Sequence, residues 1–415
     1  MTKKNQRHAK RVKRLALLCT ICTVLLAVST YAWFIGMQTV NVSSFDVEIA
    51  AIDGLSLSID GKTFSDTVAI NKDNFSTIYD GNTNTWGGKG LIPISTVGKI
   101  DETASRLIMY EKGSLTATPG GYRLMASKVE NEGAAEKDGY VAFDLFIKNL
   151  SGDEYYTEMN PLNEEAIYLT TASEVKTATG GAANTGIENS VRVAFAQIGR
   201  VKATTTDEKV IQGITCTSNE SVTGICTRDA QIWEPNDTKH VQNAINWYNK
   251  SCKKRTGEDL TTPGAYTGDF GTCGTVADGT AYPTYAVSGV INYSDRVDVY
   301  DGTAYNGYET SVAETAATGK LVAYPTFTDT MKAKQGNERP TFITLAPNSI
   351  TKVRIYVYIE GQDVDNYDFA SLGKQISVKF GFTKERFYGE DVNYNEGLEE
   401  GEKGPQLPAD VVRGN

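Results

Sequence analysis

Two stretches near the end of the chain decide its fold, Val353-Arg-Ile-Tyr-Val-Tyr-Ile-Glu360 and Ile376-Ser-Val-Lys-Phe-Gly-Phe382. Large apolar side chains alternate with other residues along both stretches, and successive side chains of a strand point to opposite faces of a sheet. A period of two therefore predicts two strands, each with one row of side chains in a core and the other row in solvent.

The same alternation appears near the start of the chain, in Phe45-Asp-Val-Glu-Ile49 and Leu55-Ser-Leu-Ser-Ile59. The segment between them, Ile52-Asp-Gly54, contains the Asp-Gly pair that is typical of a tight turn. We predict two strands joined by a turn, and we expect the C-terminal strands to pair with the strands near Phe45 and close a sandwich.

Further strand patterns lie at residues 139–150, 166–170 and 190–198. No stretch between them has the length and period of a helix that crosses between parallel strands. The 22 Tyr and 39 Gly of the 415-residue chain agree with strands and turns. We predict an all-β protein, an antiparallel β-sandwich whose first part is residues 33–199 and whose closing strands are residues 341–384.

Residues 200–340 are predicted to be a loop-rich insertion. They contain Cys216, Cys226, Cys252 and Cys273, and an even number of cysteines in an exported body permits two disulfides. Of the three possible connectivities we chose the sequence-local one, which joins Cys216 to Cys226 and Cys252 to Cys273.

One short helix is predicted in this insertion, at about residues 238–250. Asn236 or Asp237 would cap it, because a short polar side chain satisfies the free N–H groups of a first turn. Val241, Ala244, Ile245 and Tyr248 would form its apolar stripe. We expect the ring of Trp233 to be buried beneath this helix.

The chain begins with a segment typical of export. The first 14 residues contain seven Lys and Arg and no acidic residue, and an apolar run follows from Leu15 to Met37. Such a segment is typical of a secretory signal, but the run is also long enough to span a bilayer. Either residues 1–32 are a signal peptide cut between Ala32 and Trp33, or residues 15–37 remain as a membrane anchor. Both readings place the body outside the cytoplasm, secreted or on the cell surface.

Charge narrows the class of partner. The formal net charge is −10 despite the basic head, and an acidic surface repels phosphate, so no nucleic-acid partner is expected. Residues 385–415 are acidic and contain Gly and Pro, which predicts a flexible tail.

No catalytic residue, metal ligand or cofactor is predicted. Beyond the basic head the sequence has one histidine, His240, which we interpret as a partly exposed residue of the short helix, and no Gly-x-Ser-x-Gly motif accompanies it. Asp363, Asp365 and Asp368 only faintly resemble a calcium loop, because the glycine and the terminal glutamate are misplaced. We interpret them as a solvated turn.

The N-terminal motifs carry a family resemblance. Ser29-Thr-Tyr-Ala-Trp-Phe34, Ser43-Ser-Phe-Asp-Val-Glu-Ile49 and Leu55-Ser-Leu-Ser-Ile59 resemble the N-terminus of the TasA/camelysin family and related surface proteins of Gram-positive bacteria. The C-terminal strand pair resembles the closing strands of the same proteins. The resemblance implies cleavage beside the Tyr-Ala-Trp-Phe motif, a jelly-roll fold, and a place in extracellular matrix fibres or on the cell surface.

The main hypothesis is that the protein is a secreted structural subunit of the cell surface or extracellular matrix, which assembles into fibres. A freed N-terminal segment, with Phe45, Val47 and Ile49 as its alternating side chains, would join the sheet of a neighbouring subunit by strand donation. The expected partners are copies of the chain itself or other surface and matrix proteins. The alternatives are a membrane-anchored adhesin that binds glycans or proteins and, less favoured, a secreted hydrolase.

Overall fold

The computed structural model describes residues 42–384, except for residues 52–53, 76–77, 80–83, 85–89, 97, 112–114, 119–120, 130–135, 153, 171, 179–183, 237, 252, 256–269, 273–284, 288–295, 299–320, 324–326, 329–340, 362 and 367–373. The predicted export segment with its cleavage point at Ala32 and Trp33, the residues Cys252, Cys273 and Asp368, and the tail 385–415 lie outside this part of the chain. Within it, no helix is both long and apolar enough to cross a membrane.

The described residues form mainly strands. In chain order these are β1 (Val42–Ala51), β2 (Leu55–Ser58), β3 (Thr67–Asn71), β4 (Pro93–Ser95), β5 (Ile100–Asp101), β6 (Arg106–Leu107), β7 (Tyr110–Glu111), β8 (Leu115–Thr118), β9 (Gly121–Lys128), β10 (Val141–Asn149), β11 (Glu165–Leu169), β12 (Glu174–Thr177), β13 (Val191–Lys202), β14 (Thr223–Gly224), β15 (Gln231–Glu234), β16 (Lys253–Arg255), β17 (Phe270–Thr272), β18 (Tyr285–Val287), β19 (Arg296–Asp298), β20 (Leu321–Ala323), β21 (Phe327–Thr328), β22 (Ile343–Leu345), β23 (Ser349–Glu360) and β24 (Lys374–Thr383). The α-helices are α1 (Lys72–Phe75), α2 (Glu208–Gln212) and α3 (Gln242–Ser251), and 3-10 turns occur at Pro161–Asn163 and Ile187–Ser190.

Two sheets contain most of these strands. In the larger sheet β23 is central, with β10 and then β2 on one side and β13 and then β15 on the other. In the smaller sheet β24 lies between β1 on one side and β11 and β12 on the other, and β3 follows β1. Most pairs are antiparallel, whereas β1–β24, β4–β23 and β15–β21 are parallel. The prediction of an all-β chain with mainly antiparallel sheets is confirmed.

One apolar core lies between the facing rows of the two sheets. The ring of Phe195 on β13 lies 5.1 Å from that of Phe380 and 5.9 Å from that of Phe382, both on β24. Trp233 on β15 also contacts Phe380, at 6.4 Å between ring centroids. Trp233 is buried as predicted, but it lies in the core between the sheets. Each fully buried aromatic of this kind contributes about 1.5–3 kcal/mol relative to an exposed position.

The second row of β23 is not in solvent, which corrects the alternation argument for this strand. Tyr356, Tyr358 and Glu360 are 0% exposed. A second apolar cluster covers this face, to which α2 contributes Ile211 and the segment after it contributes Ile214. Period two therefore identified the strand correctly, but it could not show that connecting segments would cover the outer face.

Of the two strands near Phe45, β1 pairs with the C-terminal strand β24 as expected, but in parallel, whereas β2 pairs with β10. Phe45 lies opposite Ile376 and Ile49 opposite Phe380 in the β1–β24 ladder. Of the predicted turn the structure describes Gly54, whose φ of +77° is a conformation that favours glycine. However, β1 and β2 belong to different sheets, so this connection passes the chain from one layer to the other.

Residue 200, the predicted start of the insertion, lies inside the continuous strand β13. Farther along, β15 pairs with β13 through Val193 opposite Trp233. Residues 201–234 thus add strands and core side chains to the larger sheet. Cys216 and Cys226 form a disulfide with their Cα atoms 5.4 Å apart, the pairing that was chosen from the sequence.

Candidate functional site

The predicted strand-donation residues lie on an internal strand of the smaller sheet. Val47 and Ile49 are buried in the core, and Phe45 occupies a ladder position beside β24. On its other edge β1 pairs with β3, where Val47 lies opposite Ile70 and Glu48 opposite Ala69. The first strand of the described chain therefore fills a slot between β24 and β3.

A second candidate is a buried polar cluster at one end of the sandwich, to which separate chain segments contribute. Arg192 comes from β13, Glu234 from β15 and Glu360 from β23. His240 comes from the connection between β15 and α3, and Asp363 and Asp365 come from the segment after β23. All six side chains are buried.

Hydrogen bonds and ion pairs connect the members of this cluster. The guanidinium of Arg192 contacts Glu234 at 3.1 Å and donates to Asp363 Oδ2 at 2.7 Å. The Nδ1 atom of His240 lies 2.6 Å from Asp365 Oδ2. The backbone N–H of Asp365 donates to Asp363 Oδ1 at 2.9 Å, and that of Val241 donates to Asp365 Oδ1 at 3.1 Å. These contacts fix two distant connections against each other.

The pKa values of Asp365 and Arg192 are shifted by burial and by the neighbouring charges. Burial, followed by the nearby charge of Asp363, raises the pKa of Asp365 to about 6, although the hydrogen bond from His240 acts in the opposite direction. Burial acts to lower the pKa of Arg192, but the carboxylates of Glu234, Asp363 and Glu360 outweigh it and raise that pKa. The cluster thus gathers four carboxylates and one guanidinium in a buried site.

The structure corrects the reading of His240. It is not a partly exposed helix residue, because α3 begins only at Gln242 and the histidine side chain is fully buried against Asp365. Of the two predicted caps, Asp237 lies outside the described residues. Asn236 does not cap α3, which begins at Gln242, and its amide donates to the carbonyls of Val175 and Glu188. Asp365 accepts the N–H of Val241 instead. The acidic turn is likewise buried at Asp363 and Asp365.

Sequence reasoning did not single out Arg192, Glu234 or Glu360. Each is a charged residue within or at the end of a strand, and charged side chains are almost never fully buried unless they are paired. This signal is not specific, because the same strands contain charged residues outside the cluster, such as Arg200 on β13 and Arg354 on β23. The pairing itself could not be read from the sequence, because Arg192 and Asp363 are separated by 171 positions.

The geometry limits the chemistry of this cluster. A general base has to reach the proton of a substrate, whereas the side chains of His240 and Asp365 are 0% exposed. Mixed imidazole and carboxylate groups are, in contrast, common ligands of divalent transition metals. The arrangement therefore suits ion binding or structural support better than turnover of a large substrate.

Comparison of the chain with family models, with curated proteins and with solved structures finds no match.

Proposed function

We propose that this protein is an exported structural subunit of the cell surface or extracellular matrix, which assembles into fibres by donating its N-terminal strand to a neighbouring copy. In this proposal the sandwich is of the jelly-roll type, and the apolar N-terminal helix directs export. The observation that carries the proposal is the position of β1, the first described strand, between β24 and β3.

The slot that β1 fills would accept the same strand from another chain. Its main-chain bonds to β24 run from Val42 to Ala51, and a ladder of this kind forms equally well between chains. Val47 and Ile49 enter the core from this strand, and each contributes about 1.5–3 kcal/mol by burial. Because the side-chain period is two, a slip by one residue would expose both, which fixes the register of a donated strand.

The connection from β1 to β2 is short. Only three residues, Ile52, Asp53 and Gly54, separate β1 in the smaller sheet from β2 in the larger sheet. Short connections of this kind favour exchange of a terminal element between copies. If each chain donates β1 to the next and receives β1 from the previous one, the contact is head-to-tail, and such contacts generate open filaments when they do not close into a ring.

A mixing experiment tests donation directly. One sample carries Glu48→Cys and a second carries Ala69→Cys, positions that lie opposite each other across the β1–β3 ladder. The two chains are assembled together and oxidised. Donation predicts disulfide-linked dimers of one chain of each kind, because residue 48 of the donor then lies beside residue 69 of the acceptor.

Three controls make the result interpretable. Each variant oxidised alone accounts for the native cysteines, and Glu48→Cys mixed with Lys62→Cys places the second thiol at an exposed position off the ladder. A chain carrying both Glu48→Cys and Ala69→Cys shows whether the pair can close within one copy. If the mixture gives no more dimer than the Lys62→Cys control, while filaments are present in electron micrographs, strand donation is wrong.

A further inference from the structure

We infer that His240, Asp363 and Asp365 form a binding site for one divalent transition-metal ion, for which Zn²⁺ is the probe. Each residue offers one ligand atom, an imidazole nitrogen or a carboxylate oxygen, and these atoms lie within 4.8 Å of one another. All three side chains are buried. The inference does not depend on the proposed assembly, because these residues lie on connections and not on β1.

The candidate ligands are held in place by the fold. Asp363 and Asp365 follow directly after β23, and the backbone N–H of Asp365 donates to Asp363, which orients both carboxylates. His240 precedes α3 and is positioned by the adjacent Val241 N–H, which donates to Asp365. Outer hydrogen bonds of this kind orient metal ligands and tune their affinity. Arg192 supplies a further one, because it donates to Asp363 Oδ2.

Charge gives a reason for an ion at this position. The ligand oxygens of Asp363 and Asp365 lie within 4.8 Å of each other, a distance at which two carboxylates repel, and buried charges need a partner of opposite sign or a metal. Arg192 is shared between Asp363 and Glu234. A divalent cation between His240, Asp363 and Asp365 would offset the repulsion between the two aspartates.

The imidazole selects the class of metal. Ca²⁺ and Mg²⁺ prefer ligand sets made only of oxygen atoms, whereas Zn²⁺ and related ions accept histidine nitrogen together with carboxylate oxygen. Ligand atoms about 2.1 Å from a tetrahedral Zn²⁺ are about 3.4 Å apart. The His240 Nδ1 and Asp365 Oδ2 atoms, now 2.6 Å apart, would separate by less than about 1 Å, and the proton that they share would leave to solvent as the ion enters.

The test uses the full-length chain with His8→Ala, which leaves His240 as the single histidine of the sequence. The protein is stripped with a chelator, loaded with one equivalent of Zn²⁺ and measured by titration calorimetry and by X-ray absorption at the zinc edge. The expected results are one tightly bound ion per chain and one imidazole in its coordination shell, which only His240 can supply.

Two variants measure the individual ligands. His240→Gln and Asp365→Asn should each weaken Zn²⁺ binding at least tenfold, while Asp229→Asn, an exposed carboxylate paired with Lys99, should leave binding unchanged. The X-ray measurement on the chain with unaltered ligands keeps the inference testable if either variant does not fold. A coordination shell without imidazole, or Zn²⁺ binding that survives both ligand variants, would overturn the inference.

Discussion

Replacing Asp144 by Asn should destabilise the protein far more than the same change at an exposed ion pair. Asp144 lies on the outer row of β10 and is 1% exposed. It accepts from Arg354 Nε at 2.8 Å and from Arg354 NH2 at 3.2 Å, and Lys352 Nζ lies 3.2 Å from its Oδ2 atom. The hydroxyl of Tyr79 also donates to it. One carboxylate thus neutralises two cations beneath the connections that cover this face.

The expected magnitude follows from these contacts. Asn keeps the shape of Asp but loses its charge, so Arg354 and Lys352 remain in a buried site without their shared counter-ion. Removing one partner of a buried ion pair costs about 3–5 kcal/mol. Arg354 retains a weaker contact with Glu136, at 3.4 Å, which places the expected loss toward the lower end of that range.

Urea unfolding provides the measurement. A loss of about 3–4 kcal/mol lowers the midpoint by roughly 1–2 M when the m-value is about 2–3 kcal/mol/M. The matched control is Asp229→Asn, which breaks the ion pair with Lys99. The side chains of Lys99 and Asp229 are 62% and 41% exposed, so this substitution should change the free energy of unfolding by less than about 1 kcal/mol. Equal effects of the two substitutions would refute the reasoning that burial makes the Asp144 pair costly to break.

The same residue predicts a pH dependence. Burial acts to raise the pKa of Asp144, but the charges of Arg354 and Lys352 outweigh it and hold that pKa well below its ordinary value. A carboxyl whose pKa is lower in the folded state stabilises the protein above its unfolded pKa of about 3.9, and this contribution is lost as the pH falls below that value. Below about pH 4 the stability of Asp144→Asn should therefore fall less steeply than that of the parent chain.

Two further predictions concern the segment around the disulfide. Replacing Cys216 and Cys226 by Ser should lower the free energy of unfolding by about 3 kcal/mol, given a sequence separation of 10, and a reducing agent should remove the difference from the parent chain in urea unfolding. Gly224→Ala should cost about 2–3 kcal/mol by overpacking, because its Cβ would lie 1.7 Å from the Cys216 carbonyl oxygen. Gly54→Ala is the control, because the atom nearest to its new Cβ would be 3.8 Å away. Its positive φ alone should lower the free energy of unfolding by about 1 kcal/mol. Equal shifts of the melting temperature for the two variants would contradict the overpacking argument.

Much of the strand content was readable from the sequence because period-two alternation is a local property. The patterns at Val353–Glu360 and Ile376–Phe382 each lie within an observed strand, as does that at Val141–Ile147. The short helix was also expected, but it begins at Gln242 and not at about residue 238, and the two residues before it, His240 and Val241, are hydrogen-bonded to Asp365. Local signals therefore identified the strands and the helix, whereas the contacts of the residues that precede the helix are distant in sequence.

The candidate ion site was not predictable in the same way. In the sequence its candidate ligands are a lone histidine and an acidic turn far apart in the chain, and each was expected at the surface. The 125 positions between His240 and Asp365 hide the pairing, because it depends on which strands become neighbours. Arg192 and Glu234 meet for the same reason, through the pairing of β13 with β15.

The sequence by itself determined that this is an all-β protein, because alternation along each strand records which side chains need a core. Only the tertiary structure decided that β1 joins β24 in parallel, that both faces of β23 are buried, and that His240 meets Asp363 and Asp365. The physical reason is that alternation specifies the faces of a strand but not its neighbours. Neighbours are selected by the packing of the whole chain, and the sites proposed here lie where those neighbours meet.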